Sequence, residues 1–469
     1  MPENASEPVI AESTLSAPGE LRKRVFRRIL RHFEIDEAVA YLLLTRVWQI
    51  AAYPVSMLLI VRHLNAETQG FYYTFGSLLA LQIFVELGFV IVITNAASHE
   101  WASLKLDGSG YIVGSPEVLS RLVSLGRLMF KWYAAAMALF IVGVGIAGWF
   151  FLSRQSHPGI SWQSPWFGLV VLSGLLFWLL PFNALLEGCN QVNTINRFRL
   201  QQAIMENIAF WMTLVLGGGL WAAVAAVGAK LTRNAWLLFV QYKHFFVPFF
   251  SRPRHSTIEW KKELLPMQWR LAVSGLVTYL FSSMFNPVMF YYHGAIVAGQ
   301  MGMTLQIAQG LQMVGMAWLS PKVPQFGICI ARREYGLLDL IWRRVSARSV
   351  TVVALGTIAI WCAVIIVNRA DCTFAHRLLG PTPTALFLFA FLLLQVTQCF
   401  VSYLRAHKKE PILVASVTTS VLAGFLIWYF GKRFGAVGAA ASYLAMAFLM
   451  LVWCQGIWRR CRSAWHQCP

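Results

Sequence analysis

Five ionisable side chains fall inside long apolar stretches of this 469-residue chain: Arg46, Glu86, Glu206, Lys230 and Arg233. A charge in a membrane interior costs about 2.5–3.5 kcal/mol on insertion scales, so such groups turn to the protein interior or to a water-filled cavity. Three bases against two acids leave a charge of +1. Guanidinium and ammonium groups suit the oxygens of a phosphate or pyrophosphate, so one chemistry open to this set is anion binding. Glu86 or Glu206, if desolvated, can also take up a proton. The competing expectation is structural. At 1.5 Å per helical residue, Arg46 lies roughly 10 Å and Glu86 roughly 14 Å from the inner ends of their helices, a match that permits an ion pair.

The second half of the chain carries almost no charge in its apolar stretches and holds glutamines instead. Gln300, Gln306, Gln309 and Gln312 fall in one stretch, Gln395 and Gln398 in another. Gln306, Gln309 and Gln312 recur every three residues and drift slowly around one helix face. They suit either a cavity wall for a hydroxyl-rich cargo or hydrogen bonds between helices. Arg270 sits near the inner end of its stretch, as a cytoplasmic gate or as a snorkelling surface cation.

Membrane helices must position these groups. Apolar residues make up 58% of the chain and charged residues 13%, about half the roughly 25% typical of soluble proteins. Twelve apolar runs are long enough to span a bilayer; they begin near Val39, Phe71, Leu128, Pro165, Gln201, Leu220, Pro266, Ala295, Ser346, Pro383, Pro411 and Ala436. With a cytoplasmic N-terminus, 30 of the 39 Lys and Arg fall in inner segments and 6 in outer loops. That bias predicts an even number of spans with both termini cytoplasmic. The expected fold class is all-α, with about twelve transmembrane helices in two six-helix lobes.

Two repeats support the division. Aligning Gly70 with Gly302 gives an offset of 232, and aligning Gly217-Gly-Gly with Gly435-Ala-Val gives 218. The difference of 14 residues falls where the first half carries a polar loop, Ala96 to Arg127. Six spans per half keep both halves in one orientation, as in parallel-repeat transporters. The expected parts are a disordered tail (1–20), a basic amphipathic surface helix (21–37), a first lobe (38–244), a cytoplasmic linker (245–265), a second lobe (266–458) and a basic cytoplasmic tail (459–469). The eight scattered Cys show no metal-ligand spacing. There is no Walker loop and no nucleic-acid module, and nothing asks for a cofactor. Inside the fourth run, Pro181 with Asn183 suggests a kink facing a cavity.

Several stretches resemble the polysaccharide-transporter branch of the multidrug/oligosaccharidyl-lipid/polysaccharide exporter superfamily. They are Arg62-His-Leu-Asn-Ala-Glu-Thr-Gln-Gly-Phe-Tyr-Tyr73, Glu86-Leu-Gly-Phe89, Leu186-Glu-Gly-Cys-Asn-Gln191 and Tyr403-Leu-Arg-Ala-His-Lys-Lys-Glu-Pro411. The resemblance implies two lobes in a V that alternate access around a central cavity in the bacterial inner membrane. It implies an undecaprenyl-pyrophosphate-linked oligosaccharide as cargo, with a glycan polymerase and export machinery as possible partners. Cavity cations would meet the pyrophosphate, and Arg46, Lys230 and Arg233 take that role by their depth. Two rivals stand against it. A drug or cation/proton antiporter of the same architecture would favour an acidic cavity. A membrane glycosyltransferase or polymerase would need carboxylates on a sizeable outer loop, and these outer loops are too short.

Overall fold

The computed structural model describes residues 37–155, 159–251, 257–371, 374–407 and 411–466. The tail and surface helix expected before residue 37, and the last residues of the basic tail, lie outside the described residues.

The first half opens with α1 (Glu37–His63) and α2 (Ala66–Leu79). Asn65 caps α2, its side chain accepting from the Thr68 amide at 2.6 Å. A short turn leads to α3 (Ile83–Glu86) and then α4 (Phe89–Trp101), bent by 46° from the α2–α3 axis. The break comes at Leu87 and Gly88, both at positive φ, which glycine adopts without penalty. β1 (Leu104–Leu106) and β2 (Ile112–Gly114) then form an antiparallel hairpin. The first half continues with α5 (Pro116–Ser153), α6 (Gln163–Trp178), α7 (Leu180–Gly188), α8 (Val192–Val215) and α9 (Trp221–Trp236). A π turn (Leu237–Gln241) and the four-residue α10 (Lys243–Phe246) close it. The second half comprises α11 (Leu265–Ser282), α12 (Phe285–His293), α13 (Ala295–Leu319), α14 (Val323–Ala331), α15 (Tyr335–Arg369), α16 (Pro381–Ala406) and α17 (Leu413–His466).

Each of the twelve apolar runs lies on a helix or a broken helix. Among the described residues, seven helices are long and apolar enough to cross a membrane on their own, and the bent α2–α4 unit makes eight. The 54-residue α17 is two helices folded on each other at Gly435 (φ 61°, ψ −144°). Its arms run antiparallel: the Ser442 hydroxyl on one meets the Leu426 carbonyl on the other at 3.3 Å. The remaining runs, α8, α11–α12 and α13, fall short of the criterion. α8 and α13 do so because they carry the polar residues, among them Arg197, Arg199, Glu206, Gln300 and Gln306. Helices turned to a lipid solvent show the converse. The most apolar stretch of α15 is only 11% buried. On α5, Leu139, Val142, Ile146 and Phe150 stand exposed along one face, as an apolar solvent allows and water does not.

The repeat is visible in the packing. α2 and α13 run side by side between the halves, and glycines on both permit their close approach. A Cβ on Gly70 would lie 1.9 Å from the Ala295 carbonyl oxygen, and one on Gly302 would strike the Tyr73 ring at 2.3 Å. The side-chain bonds across this seam join residues 230, 233 and 234 apart: Gln69 to the Gly299 carbonyl (2.9 Å), Tyr73 to Gln306 (2.5 Å) and Gln69 to Met303 (3.9 Å). These separations bracket the 232-residue offset of the repeat, so near-equivalent positions face each other along two like-directed helices. In the second pair, Gly217 (φ 79°) and Gly435 (φ 61°) both form the left-handed turn between a half's last two helices. The expected polar loop from Ala96 to Arg127 is mostly helix. Its irregular part is the fourteen residues 102–115 holding the hairpin, and the matching α14–α15 junction is the three residues 332–334.

The connection after α9 is packed onto the first half. Phe245, Phe246 and Phe249 are buried, and Phe130 packs against Phe246 and Phe249 at 6.4 and 5.9 Å. Arg121 on α5 clamps the far part of the connection, donating to Glu100 at 2.9 Å and Glu263 at 2.6 Å.

Candidate functional site

The break between α6 and α7 shapes a cavity in the first half. Pro181 cannot continue the α6 hydrogen-bond ladder, so the chain turns at Leu179 and α7 restarts with Asn183 facing inward. The cavity, about 550 Å³, lies between α1, α6, α7, α8 and α9. Its charged lining is Arg46, Arg199 and Lys230 against Glu187 and Glu206. Lys230 Nζ stands 3.6 Å from Glu206, with both side chains more than a third exposed, so this pair faces water. Arg199 is paired with Glu187. Arg46 donates to Gln49 at 3.3 Å and has no carboxylate partner among the described residues. The lining therefore carries a charge of +1, and its uncompensated member is Arg46.

Asn234 adds a neutral demand. It is 3% exposed and lines the same cavity, and its Oδ1 has no hydrogen-bond partner among the described residues. A buried acceptor without a donor costs about 1–3 kcal/mol, so a water or cargo donor placed there is stabilised.

A second cavity of about 420 Å³ adjoins the first along α1 and α8, sharing Arg46, Gln49, Ala203 and Glu206. Gln306 and Met313 of α13 close its far wall, so it lies between the halves.

The predicted residues separate as follows. Arg46, Glu206 and Lys230 come together in the main cavity, and Gln306 reaches the adjoining one. Glu86 does not meet Arg46: it ends α3 at the chain break and lines none of these cavities. Matched depth gave the two a common level but not a common direction. Arg233 lies apart from the main cavity, its guanidinium over Phe198 (4.0 Å) and Trp236 (4.5 Å) and bonded to Gln201. Two aromatic faces turn it into a separate depression of about 320 Å³. Gln309 is exposed and lines none of the three. Two of the other glutamines bond within the second half: Gln300 to the His376 carbonyl at 3.0 Å, Gln395 to Ser349 at 2.8 Å. Arg270 is on α11, with its side chain outside the described residues.

Glu187, Arg199 and Asn234 were missed. Glu187 and Arg199 flank the α7–α8 junction, where a charge near the end of an apolar run carries no cost to flag it. Asn234, one turn beyond Lys230, is polar but uncharged.

At the opposite end of the seam the halves are shut. Arg377, 9% exposed on the loop before α16, donates to the Leu64 carbonyl and to Gln69 Oε1 at 3.4 Å. Gln69 Nε2 returns a bond to the Arg377 carbonyl at 3.2 Å. The protein thus has a charged, water-reached cavity between helices at one end and a closed polar latch at the other, the layout of a polytopic membrane transporter.

Comparison with known proteins bears on the fold. No family model and no curated protein sequence matches the chain. Solved structures match over most of it. An inward-facing multidrug-resistance MATE family transporter of the MOP superfamily aligns at TM-score 0.61 and 12% identity, over 88% of this chain and 95% of that one. The MATE multidrug transporter DinF-BH aligns at 0.58 and 12%, over 95% and 96%. The lipid II flippase MurJ, in an inward closed conformation, aligns at 0.58 and 12%, over 90% and 87%. The chain has the all-α, multi-pass fold that these transporters and this flippase share.

Proposed function

We propose that the protein flips a lipid-linked oligosaccharide carrying a pyrophosphate from the cytoplasmic to the periplasmic face of a bacterial inner membrane, by alternating access, in surface or extracellular polysaccharide assembly. The observation that supports this reading is the balance of the main cavity. Two of its bases are paired with the two carboxylates, and Arg46 is left for an anion. Arg46 and Lys230 would hold the pyrophosphate, with Arg199 at the mouth. Glu206 would hold Lys230 in place until cargo arrives, and Asn234 would accept a hydrogen bond from a cargo hydroxyl or amide. The latch at Arg377 marks the end that must open for release. A glycan polymerase and export machinery would take the product. The MurJ neighbour makes a lipid-linked cargo reasonable for this fold.

A second reading, a drug or cation/proton antiporter, draws on the two MATE neighbours and on Glu187 and Glu206. It requires those carboxylates to be free for a cation, whereas each already faces a base.

The test is Arg46→Ala and Lys230→Ala in cells that depend on this protein for surface glycan. Glycan output should fall about tenfold or more at normal protein level, from the loss of one or more charge-assisted bonds. Full output in both variants overturns the cavity assignment, and robust efflux of lipophilic cations by the unaltered protein favours the second reading.

A further inference from the structure

The depression that holds Arg233 stands apart from the main cavity, with Phe198 as the shared wall between them. Phe198 is 5% exposed and fills that wall. The depression is lined by the first turn of α1 (Glu37, Tyr41), the start of α8 (Asn193, Thr194, Arg197, Gln201) and the end of α9 with its π turn (Arg233, Trp236, Gln241). All three segments lie at one end of their helices. They are the ends joined to the Arg-rich loops, which positive-inside bias puts at the cytoplasmic headgroup level.

Two cations and one acid, Glu37, face this space. Neither Arg197 nor Arg233 has a carboxylate within ion-pair distance among the described residues. Both guanidinium groups line the one depression. Repulsion left unrelieved between two guanidinium groups favours any anion that sits between them. Arg233 is also oriented in advance: its guanidinium lies over the neighbouring Phe198 and Trp236 rings at 4.0 and 4.5 Å, and Gln201 accepts one of its N–H groups. A flat guanidinium packed against two aromatic rings and bonded along one edge keeps its remaining N–H groups for a ligand, and such a fork can receive two phosphate oxygens. Asn193 and Thr194 add neutral donors on the same wall. Trp236 is 46% exposed, an interfacial aromatic beside the site.

We propose that this depression is a second anion site, distinct from the transport cavity, that binds the phosphate of an anionic lipid headgroup or a free phosphate through Arg197 and Arg233. Basic pockets between helices at the cytoplasmic level are where such headgroups are held. The site stands independently of the flippase reading: it would dock acidic lipid whatever the cargo.

The full-length protein in neutral detergent is titrated with dioctanoyl phosphatidic acid, with dioctanoyl phosphatidylcholine and with inorganic phosphate, and both melting temperature and dissociation constant are followed. Phosphatidic acid should raise the melting temperature saturably. Arg197→Gln and Arg233→Gln should each weaken it about tenfold, and the double variant should abolish the shift. Arg233→Lys keeps the charge but loses the stacked fork, so it should fall between; it also stands in if Arg233→Gln fails to fold. Competition by millimolar phosphate with phosphatidic acid assigns a shared phosphate site with lipid as its source. Saturation by phosphate alone, with no added effect of lipid, assigns a free anion. Equal binding by the wild type and the double variant overturns the proposal, as does equal binding of phosphatidylcholine and phosphatidic acid. Arg46→Ala and Lys230→Ala should leave this binding intact even where they stop transport, so either reading can fail without the other.

Discussion

The two halves of this protein repeat each other's helices but not each other's polar chemistry. Gly70 and Gly302 hold matching places on α2 and α13, each pressed against the other helix, and Gly217 and Gly435 turn the chain at equivalent places. Yet α1, α7, α8 and α9 line a cavity with five charged residues, while in the second half Gln300 and Gln395 bond to neighbouring segments of that half. A pseudo-symmetric scaffold therefore needs function on one side only. The side that keeps charges must leave them reached by water, because a dry ion pair in a membrane gains little over an apolar packing. Lys230 and Glu206 meet that condition. The side without a charged cavity can be packed tightly and move as a body.

The comparison is broken most severely at the seam. A Cβ at Gly70 would meet backbone, the Ala295 carbonyl, and backbone cannot swing aside. Gly70→Leu should destabilise by about 3 kcal/mol or more and lower the yield of folded protein, read as monodisperse material after detergent extraction. Gly76, two turns along the same helix, has nothing within 4 Å of its missing Cβ. Gly76→Ala should be neutral or stabilise by up to about 1 kcal/mol. Equal loss from both would mean that helix propensity, rather than the contact between halves, sets the stability of α2.

A smaller effect separates the closed end of the seam from the open one. Arg377→Ala leaves the Leu64 carbonyl and Gln69 Oε1 without their buried donor, at a cost of about 2 kcal/mol. The latch holds the start of α2 to the loop before α16, so its loss should be felt there. Amide exchange of residues 66–72 and 299–303 should accelerate about thirtyfold, while residues lining the main cavity keep their rates. Uniform acceleration over the chain would show that Arg377 supports the whole fold and not one end of it.

How far this arrangement could be read in advance depended on the signal each residue leaves. Arg46, Glu206 and Lys230 were legible because a charge inside an apolar run is costly and conspicuous. The repeat was legible because close helix contact and a left-handed turn both demand glycine, at spacings that survive when other residues drift. The Arg46–Glu86 pairing failed because depth along a helix says nothing about the direction a side chain faces, and the break at Leu87–Gly88 ends the helix that carries Glu86. Arg233 was legible as a buried-level cation but not in its place, since Phe198, which packs on it, comes from another helix. Glu187 and Arg199 lay at the end of a run, where charges are ordinary. The glutamine period was real as a helix face, but period alone cannot say whether that face meets a cavity or a neighbour.

The slightest perturbation probes the quiet half. Gln395 on α16 is fully buried; its amide donates to Ser349 at 2.8 Å, and its Oε1 has no partner among the described residues. Ser349 does not depend on it, because its own hydroxyl donates to the Gly315 carbonyl at 2.7 Å. Gln395→Leu therefore removes one interhelical bond to Ser349, a weaker one to Met316 Sδ (3.7 Å) and one unsatisfied acceptor at nearly constant volume. Bonds of this kind between membrane helices average about 0.6 kcal/mol, and the relieved acceptor offsets part of that. The variant should melt within a degree or two of the wild type and carry its full glycan output. Asn234→Leu makes the corresponding change in the charged half, again removing an unpartnered buried acceptor, but from a cavity wall. It should fold equally well and lose transport. If Gln395→Leu stops transport in folded protein, the second half takes part in cargo handling and the asymmetry drawn between the halves is wrong. If Asn234→Leu carries full output, the buried acceptor serves water alone, and the cavity's selectivity rests on its charges.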